Sequence, residues 1–145
     1  MADIVEGIPQ FDKALEDIIL RVNEAALEFV KRGAEEIKIA AQKRISGNST
    51  DKWHSTAWPV PTRWTGNLAN SIYMDSATSD GRGTAQSTTG PHTVYGRRIE
   101  LGYHGTGQFP YYTTRAFPYL QPGIKDAMPA LDQLFTETVI AAQEA

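Results

Sequence analysis

The feature that most constrains this chain is a long apolar pattern at helical spacing near its N-terminus. Apolar side chains that recur every three or four residues lie on one face of an α-helix. The residues in this pattern are Ile8, Phe11, Leu15, Ile18, Val22, Ala25 and Phe29. The pattern weakens at Gly33, resumes as far as Ile45 and ends at a polar cluster, residues 46–49. It predicts a helix over about residues 8–45, with Pro9 in the first helical position.

The length of this helix conflicts with the size of the chain. A continuous helix from Pro9 to Ile45 is roughly 55 Å long. The chain has 145 residues, which fits one compact domain about 40 Å across. Two alternatives follow: the helix bends at Gly33 and packs on its own sheet, or it projects and covers its apolar face with another chain. A charge placed in the apolar face, by Leu15→Asp or Phe29→Asp, is expected to unfold the domain.

The rest of the chain divides into three regions. Residues 46–66 form a long irregular loop with all the tryptophans, Trp53, Trp58 and Trp64. We expect residues 46–64 to contact another subunit or a neighbouring ring, and the alternative is a satellite core that pins the loop down. Residues 70–115 read as β-rich, with a turn at 79–83 inside a hairpin. Residues 94–101 read as a further β-like segment that could hold a short helical turn. Helical spacing returns over residues 120–143, where Pro129 either kinks the helix or starts its second part.

The predicted fold is therefore a single α+β domain spanning residues 1–145. A long N-terminal helix and a C-terminal helix pack on a small, mostly antiparallel β-sheet. No apolar run approaches the roughly 20 residues that a transmembrane helix needs, so no membrane partner is expected.

Motif spacing argues against an enzyme. The chain has no cysteine, which excludes a disulfide scaffold, a thiolate metal site and a cysteine nucleophile. It has no nucleophile elbow and no phosphate-binding loop. The histidines are His54, His92 and His104, and no two have the helical spacing of zinc proteases. A metal shared by His92, His104 and Glu100 is a remote alternative, so we expect no catalytic residue, no cofactor and no metal.

Charge is distributed unevenly along the chain. The net charge is −3, whereas proteins that bind the phosphate backbone of duplex DNA carry an excess of basic residues. Residues 51–115 hold six basic and four acidic side chains, and residues 116–145 hold one basic and four acidic ones. We expect the local basic pair Arg97 and Arg98 to lie at a subunit or ring contact, with acids such as Glu100 as partners.

Three short segments resemble one known family. Residues 65–72 read TGNLANSI, residues 95–102 read YGRRIELG and residues 117–124 read FPYLQPGI. In this order, after a long amphipathic helix, they look like the small tail-component proteins of tailed bacteriophages, variously called tail-completion, tail-terminator or head–tail joining proteins. The residues that carry the resemblance are Thr65, Gly66, Leu68, Ser71, Ile72, Tyr95, Glu100, Gly102, Phe117, Pro118, Leu120 and Pro122.

The resemblance implies a structural protein of the virion neck, assembled in the host cytoplasm. Members form rings, generally hexameric, between the connector or stopper proteins and the tail tube, and DNA passes through the ring without specific binding. The chain departs from the family pattern at Gly96, Tyr103 and Gln121, where alanine, threonine and arginine are usual. The alternative functions are a carbohydrate- or peptide-binding module that uses the tryptophan loop and, third, a nucleic-acid enzyme or its accessory factor.

Overall fold

The computed structural model of the protein describes residues 2–45, 66–104, 113–114 and 116–144, and within them the side chains of 7–45, 66–102 and 116–144. The predicted α+β fold is confirmed. The elements, in chain order, are α1 (Ala2–Arg44), α2 (Asn67–Ser71), β1 (Ile72–Met74), β2 (Thr78–Ser79), β3 (Ala85–Gln86), β4 (Thr89–Pro91), α3 (Gly96–Leu101), β5 (Tyr103–His104), β6 (Thr113–Thr114) and α4 (Leu120–Glu144).

Helix α1 is continuous over 43 residues and is therefore about 65 Å long. Of the two alternatives, the bend at Gly33 is wrong and the continuous helix is found. The glycine allows close packing instead, since a Cβ atom there would lie 3.0 Å from Leu131 Cδ2 of α4. The prediction for Pro9 is also wrong, since α1 begins at Ala2 and Pro9 lies inside it. The helix ends at Arg44, just before the predicted polar cluster.

Helix α4 packs antiparallel along the C-terminal part of α1. The start of α4 meets the end of α1, because a Cβ atom on Gly123 would lie only 2.8 Å from Ala41 Cα. Further along, the rings of Phe135 and Phe29 meet edge to face, with their centroids 5.6 Å apart. The predicted C-terminal helix is confirmed as a single element that contains Pro129.

Residues 72–91 form an interrupted antiparallel hairpin. Strand β1 pairs with β4, with Ile72 opposite Pro91, and β2 pairs with β3, with Thr78 opposite Gln86. At the turn, which lies where the sequence predicts it, the Asp80 carboxylate accepts two backbone N–H groups at 2.8 and 3.1 Å. These bonds hold the pKa of Asp80 below its ordinary value. Strands β5 and β6 form another antiparallel pair.

In the segment 94–101 the structure has the helical alternative and not the β-like form, because residues Gly96–Leu101 fold as the short helix α3. Gly102 follows with φ 78° and ψ 172°, a backbone conformation that is essentially restricted to glycine. The main buried cluster lies between α2, β1, the end of α1 and the residue that precedes α4. Its members are Ala41, Ile45, Leu68, Ala69, Ile72 and Tyr119.

Candidate assembly surface

The three family-like segments, far apart in sequence, meet around one core. Leu68 and Ile72 from the first segment and Tyr119 from the third are buried together. Ile99 from the second segment packs against this cluster, and Ile45 at the end of α1 completes it. The segments are therefore parts of a single packing unit.

Small residues of these segments shape the backbone around the core. Gly66 precedes α2 with φ 76°, which favours glycine, and Ser71 Oγ donates to the Leu68 carbonyl at 2.7 Å. A Cβ atom on Gly96 would lie 2.6 Å from Pro91 Cγ, which explains glycine where the similar family has alanine. Of the remaining motif residues, Tyr95 is exposed, and the half-buried ones are Phe117, Pro118, Leu120 and Pro122.

Glu100 connects the second segment to the third by capping α4. Its carboxylate accepts the backbone N–H groups of Tyr119, Leu120 and Gln121 at 2.7, 2.9 and 3.0 Å. These groups belong to the helix N-terminus, where N–H donors have no partner within the helix, and Pro122 adds no further donor. Because the bond uses the backbone of residue 121, glutamine in place of the family's arginine leaves the cap intact.

Tyr119 holds the start of α4 against α3 from inside the core. Its side chain is fully buried, and its hydroxyl donates to the Gly96 carbonyl at 3.3 Å. Two residues earlier, the Phe117 N–H donates to the Ile99 carbonyl at 2.8 Å. Burial, and after it the negative charge of Glu100, raise the pKa of the Tyr119 phenol to about 12. The phenol is therefore a neutral hydrogen-bond donor at physiological pH.

The basic pair lies on the surface of α3, where both Arg97 and Arg98 are exposed. Both carboxylate oxygens of Glu100, the acid expected as a partner of this pair, accept backbone N–H groups at the N-terminus of α4, and a contact between the pair and Glu100 stays a prediction. Glu100 binds there because a helix start offers several N–H donors and a positive dipole end to one carboxylate. Whether the pair lies at a subunit contact stays a prediction.

The most unusual surface is the N-terminal part of α1. Since Gln143 near the end of α4 lies beside Arg21, residues 2–17 extend about 24 Å past α4. Every described side chain from residue 7 to residue 22 is exposed. This corrects the expectation for Leu15, which is 46% exposed and does not stabilise the single chain by burial. We call the exposed apolar side chains along this face, on the projecting part and at its base, the apolar ridge: Ile8, Phe11, Leu15 and Ile19.

A groove of about 730 Å³ continues the same face of α1, between α1, α4 and the hairpin. It is lined by small residues, including Ala25, Gly83 and Ala142, and by large apolar ones, including Phe135 and Val139. We call this depression the α1–α4 groove. Phe135 and Val139 are 57% and 38% exposed, so the groove is open to solvent.

Asn23 holds the hairpin against this groove, although the sequence analysis did not single it out. Its Nδ2 donates to the Gly81 carbonyl at 2.7 Å, and its Oδ1 accepts the Gly83 N–H at 2.5 Å. The only sequence signal is a poor helix former inside a strong helical pattern. Its partner 58 residues away could not be predicted from that signal.

Several predicted residues lie outside the described part of the chain, namely Trp53, Trp58, Trp64 and Thr65. The subunit contact of the tryptophan loop stays a prediction, and so does the binding-module alternative that depends on it. Among the described residues, no group of three acidic or histidine side chains could hold a metal ion. The His92 ring packs edge-on against Tyr73. None of the helices in the described ranges combines the length and apolar composition needed to cross a bilayer.

Comparison with known proteins finds no match to any family model, curated protein or solved structure. The resemblance to phage tail-component proteins therefore rests on the three segments alone.

Proposed function

We propose that this protein is a structural subunit of a bacteriophage neck. It forms a ring, generally of six copies, between the connector or stopper proteins and the tail tube. The ring completes the tube, joins it to the head and leaves a channel for DNA. The protein acts in the virion after assembly in the host cytoplasm, and its task is mechanical.

The observation that carries this proposal is the exposed apolar face of the projecting helix. Single apolar side chains on a surface are ordinary, but here they follow one helical face for about three turns, from Ile8 to Ile19. A contiguous apolar patch on a soluble chain is typical of a site of association. A subunit that assembles can carry such an apolar surface because neighbouring subunits cover it in the assembly.

The roles of the motif residues support the same proposal. Glu100 accepts three backbone N–H groups, Tyr119 fills the core, and Leu68 and Ile72 pack beside it. These residues hold helices together and leave no reactive group directed into a cleft. The resemblance to phage tail-component proteins rests on these residues and thus supports a shared architecture and a structural role.

The charge distribution supports a channel that lets DNA slide. We expect an acidic element to face the lumen and the basic pair, Arg97 and Arg98, to face a subunit or ring contact, because phosphate is repelled only by charges within about 8 Å at physiological salt. Duplex-DNA binding by the purified ring at low salt tests this assignment. Tight binding that is lost in the Arg97→Glu, Arg98→Glu double variant would place the pair in the channel.

Deleting the gene from a phage genome that carries it tests the function itself. The expected result in negative-stain electron microscopy is DNA-filled heads and separate tails, with joined virions restored when the gene is supplied from a plasmid. Native mass spectrometry of the purified protein, alone and with tail tubes, should show a species near six subunits. Normal joined virions from the deletion phage would refute the proposal.

A further inference from the structure

We propose that neighbouring copies assemble head to tail, with the apolar ridge of one copy seated in the α1–α4 groove of the next. This inference rests on the proposed ring and names the contact that builds it. The two surfaces differ in shape and lie at different places on the same chain. A repeated contact between different surfaces generates a ring when its rotation closes.

The first argument is shape. The ridge carries large side chains, with Phe11 67% and Ile8 53% exposed. The groove is lined in part by alanine and glycine, including Ala25 and Gly83, and has a volume of about 730 Å³. Large side chains on a helix pack into depressions formed by small ones on its neighbours. The groove thus accepts a helix that presents residues such as Phe11.

The second argument is the apolar area of the two surfaces. The exposed large apolar residues of the two surfaces have exposed fractions between 38% and 67%. They are the four ridge residues and, in the groove, Ile18, Val22, Phe135 and Val139. If each residue is given about 200 Å², a value typical of aromatic side chains and therefore an upper figure for the aliphatic ones, the set exposes at most roughly 800 Å². With the usual apolar share of interfaces, this corresponds to at most about 1,300 Å² buried per contact, which reaches the range of stable, specific interfaces.

The third argument is charge. Asp12 and Glu16 lie one helical turn apart on the same flank of the ridge, whereas the groove is lined at its edge by Arg21. Within the described part of the chain, none of the three has an ion-pair partner. Seating the ridge in a neighbour's groove brings acidic side chains towards a free guanidinium group, and such complementarity fixes the register of a contact.

Charge also argues against a symmetric pairing of two ridges. An antiparallel ridge-to-ridge dimer relates each flank to itself, so it would place Asp12 and Glu16 of one copy against the same residues of the other. Any ridge-to-ridge dimer would in addition leave the α1–α4 groove, with Phe135 and Val139, exposed to solvent. Head-to-tail seating covers both apolar surfaces with one type of contact.

Two charge insertions with matched controls test the contact. Leu15→Asp disrupts the ridge, and its control is Leu20→Asp, because Leu20 is 58% exposed on the opposite side of the same helix. Val139→Asp disrupts the groove, and its control is Ile140→Asp, because Ile140 is 46% exposed and lies outside the groove. All four substitutions add the same charge to an exposed helical position, and circular dichroism verifies that each variant is folded.

Native mass spectrometry and sedimentation measure the outcome. We expect rings from the wild type and both controls. In Leu15→Asp and Val139→Asp, the apparent dissociation constant should rise by about a hundredfold or more, because a buried charge costs several kcal/mol. An equimolar mixture of Leu15→Asp and Val139→Asp should give a one-to-one heterodimer, since it retains one intact ridge and one intact groove.

Each failure has a distinct meaning. Rings formed by Leu15→Asp as readily as by Leu20→Asp would overturn the ridge contact while the ring proposal stands. A wild-type protein that forms only dimers, lost in Leu15→Asp, would overturn the head-to-tail arrangement together with the ring. A wild type that stays monomeric at its highest soluble concentration, with tail tubes present, would overturn both proposals.

Discussion

Removing the carboxylate of Glu100 should detach the start of α4 from α3. Glu100→Ala leaves the backbone N–H groups of Tyr119, Leu120 and Gln121 without the acceptor that now lies 2.7 to 3.0 Å away. No side chain of α4 itself can replace it there, because the next residue is Pro122 and the helix has no acidic residue in its first turn. The variant therefore isolates one capping interaction.

The magnitude follows from the type and number of these bonds. A hydrogen bond to a charged group contributes about 1.5–3 kcal/mol, but the three bonds share one half-buried carboxylate and do not add. Loss of an N-cap costs about 0.5–2 kcal/mol, and loss of a negative charge at the positive end of the helix dipole adds about 0.3–1 kcal/mol. We expect Glu100→Ala to lower the free energy of unfolding by about 1–3 kcal/mol in total. Glu100→Gln, which keeps one acceptor oxygen, should lose about half of that.

Urea and thermal unfolding of the wild type and variants measure this effect. A loss of about 1–3 kcal/mol corresponds to a melting temperature lower by roughly 3–10 °C in a chain of this length. The matched control is Glu137→Ala, which removes an exposed carboxylate of α4 that lies 3.6 Å from Arg32, and it should unfold like the wild type. If Glu100→Ala is as stable as Glu137→Ala, the cap does not hold α4 and the reasoning is refuted.

Three further predictions test the packing and the electrostatics. Gly123→Ala should lower the free energy of unfolding by about 1–3 kcal/mol in urea titration because of the clash with α1, whereas Gly7→Ala, with nothing within 4 Å, should raise it by about 0.5–1 kcal/mol; equal effects would contradict the close approach. The raised pKa of Tyr119, about 12 in the folded state, gives stability that is fully present below about pH 10 and lost as pH rises towards 12. The advantage of wild type over Tyr119→Phe in unfolding free energy should therefore shrink by about 1 kcal/mol between pH 9 and pH 11, and a constant difference would count against burial as the cause. Arg44 donates two hydrogen bonds to Asp126 and holds the pKa of that carboxyl below its ordinary value, so NMR titration should show Asp126 losing its proton at higher pH in Arg44→Gln.

Local sequence patterns were sufficient for the elements whose backbone hydrogen-bond partners lie close in sequence. The period of three and four residues predicted α1 and α4, and the turn residues around Asp80 and Gly81 predicted the hairpin of β2 and β3. The segment that became α3 was harder, because Ile99 and Leu101 also fit a two-residue alternation. Its backbone is held by remote contacts, such as the 2.8 Å bond from the Phe117 N–H to the Ile99 carbonyl, and no local pattern contains them.

The sequence by itself determined that α1 has one continuous apolar face, because helical geometry fixes which side chains share a side. Only the tertiary structure decided which part of that face is covered. Helix α4 has 25 residues against the 43 of α1, and its antiparallel register, set where Gly123 meets Ala41, brings its end beside Arg21. Leu15 and Phe29 follow the same pattern in sequence, yet Phe29 packs on Phe135 and Leu15 remains exposed. The burial of a residue in α1 depends on where α4 ends beside it. The extent and register of that contact are properties of the packed pair of helices.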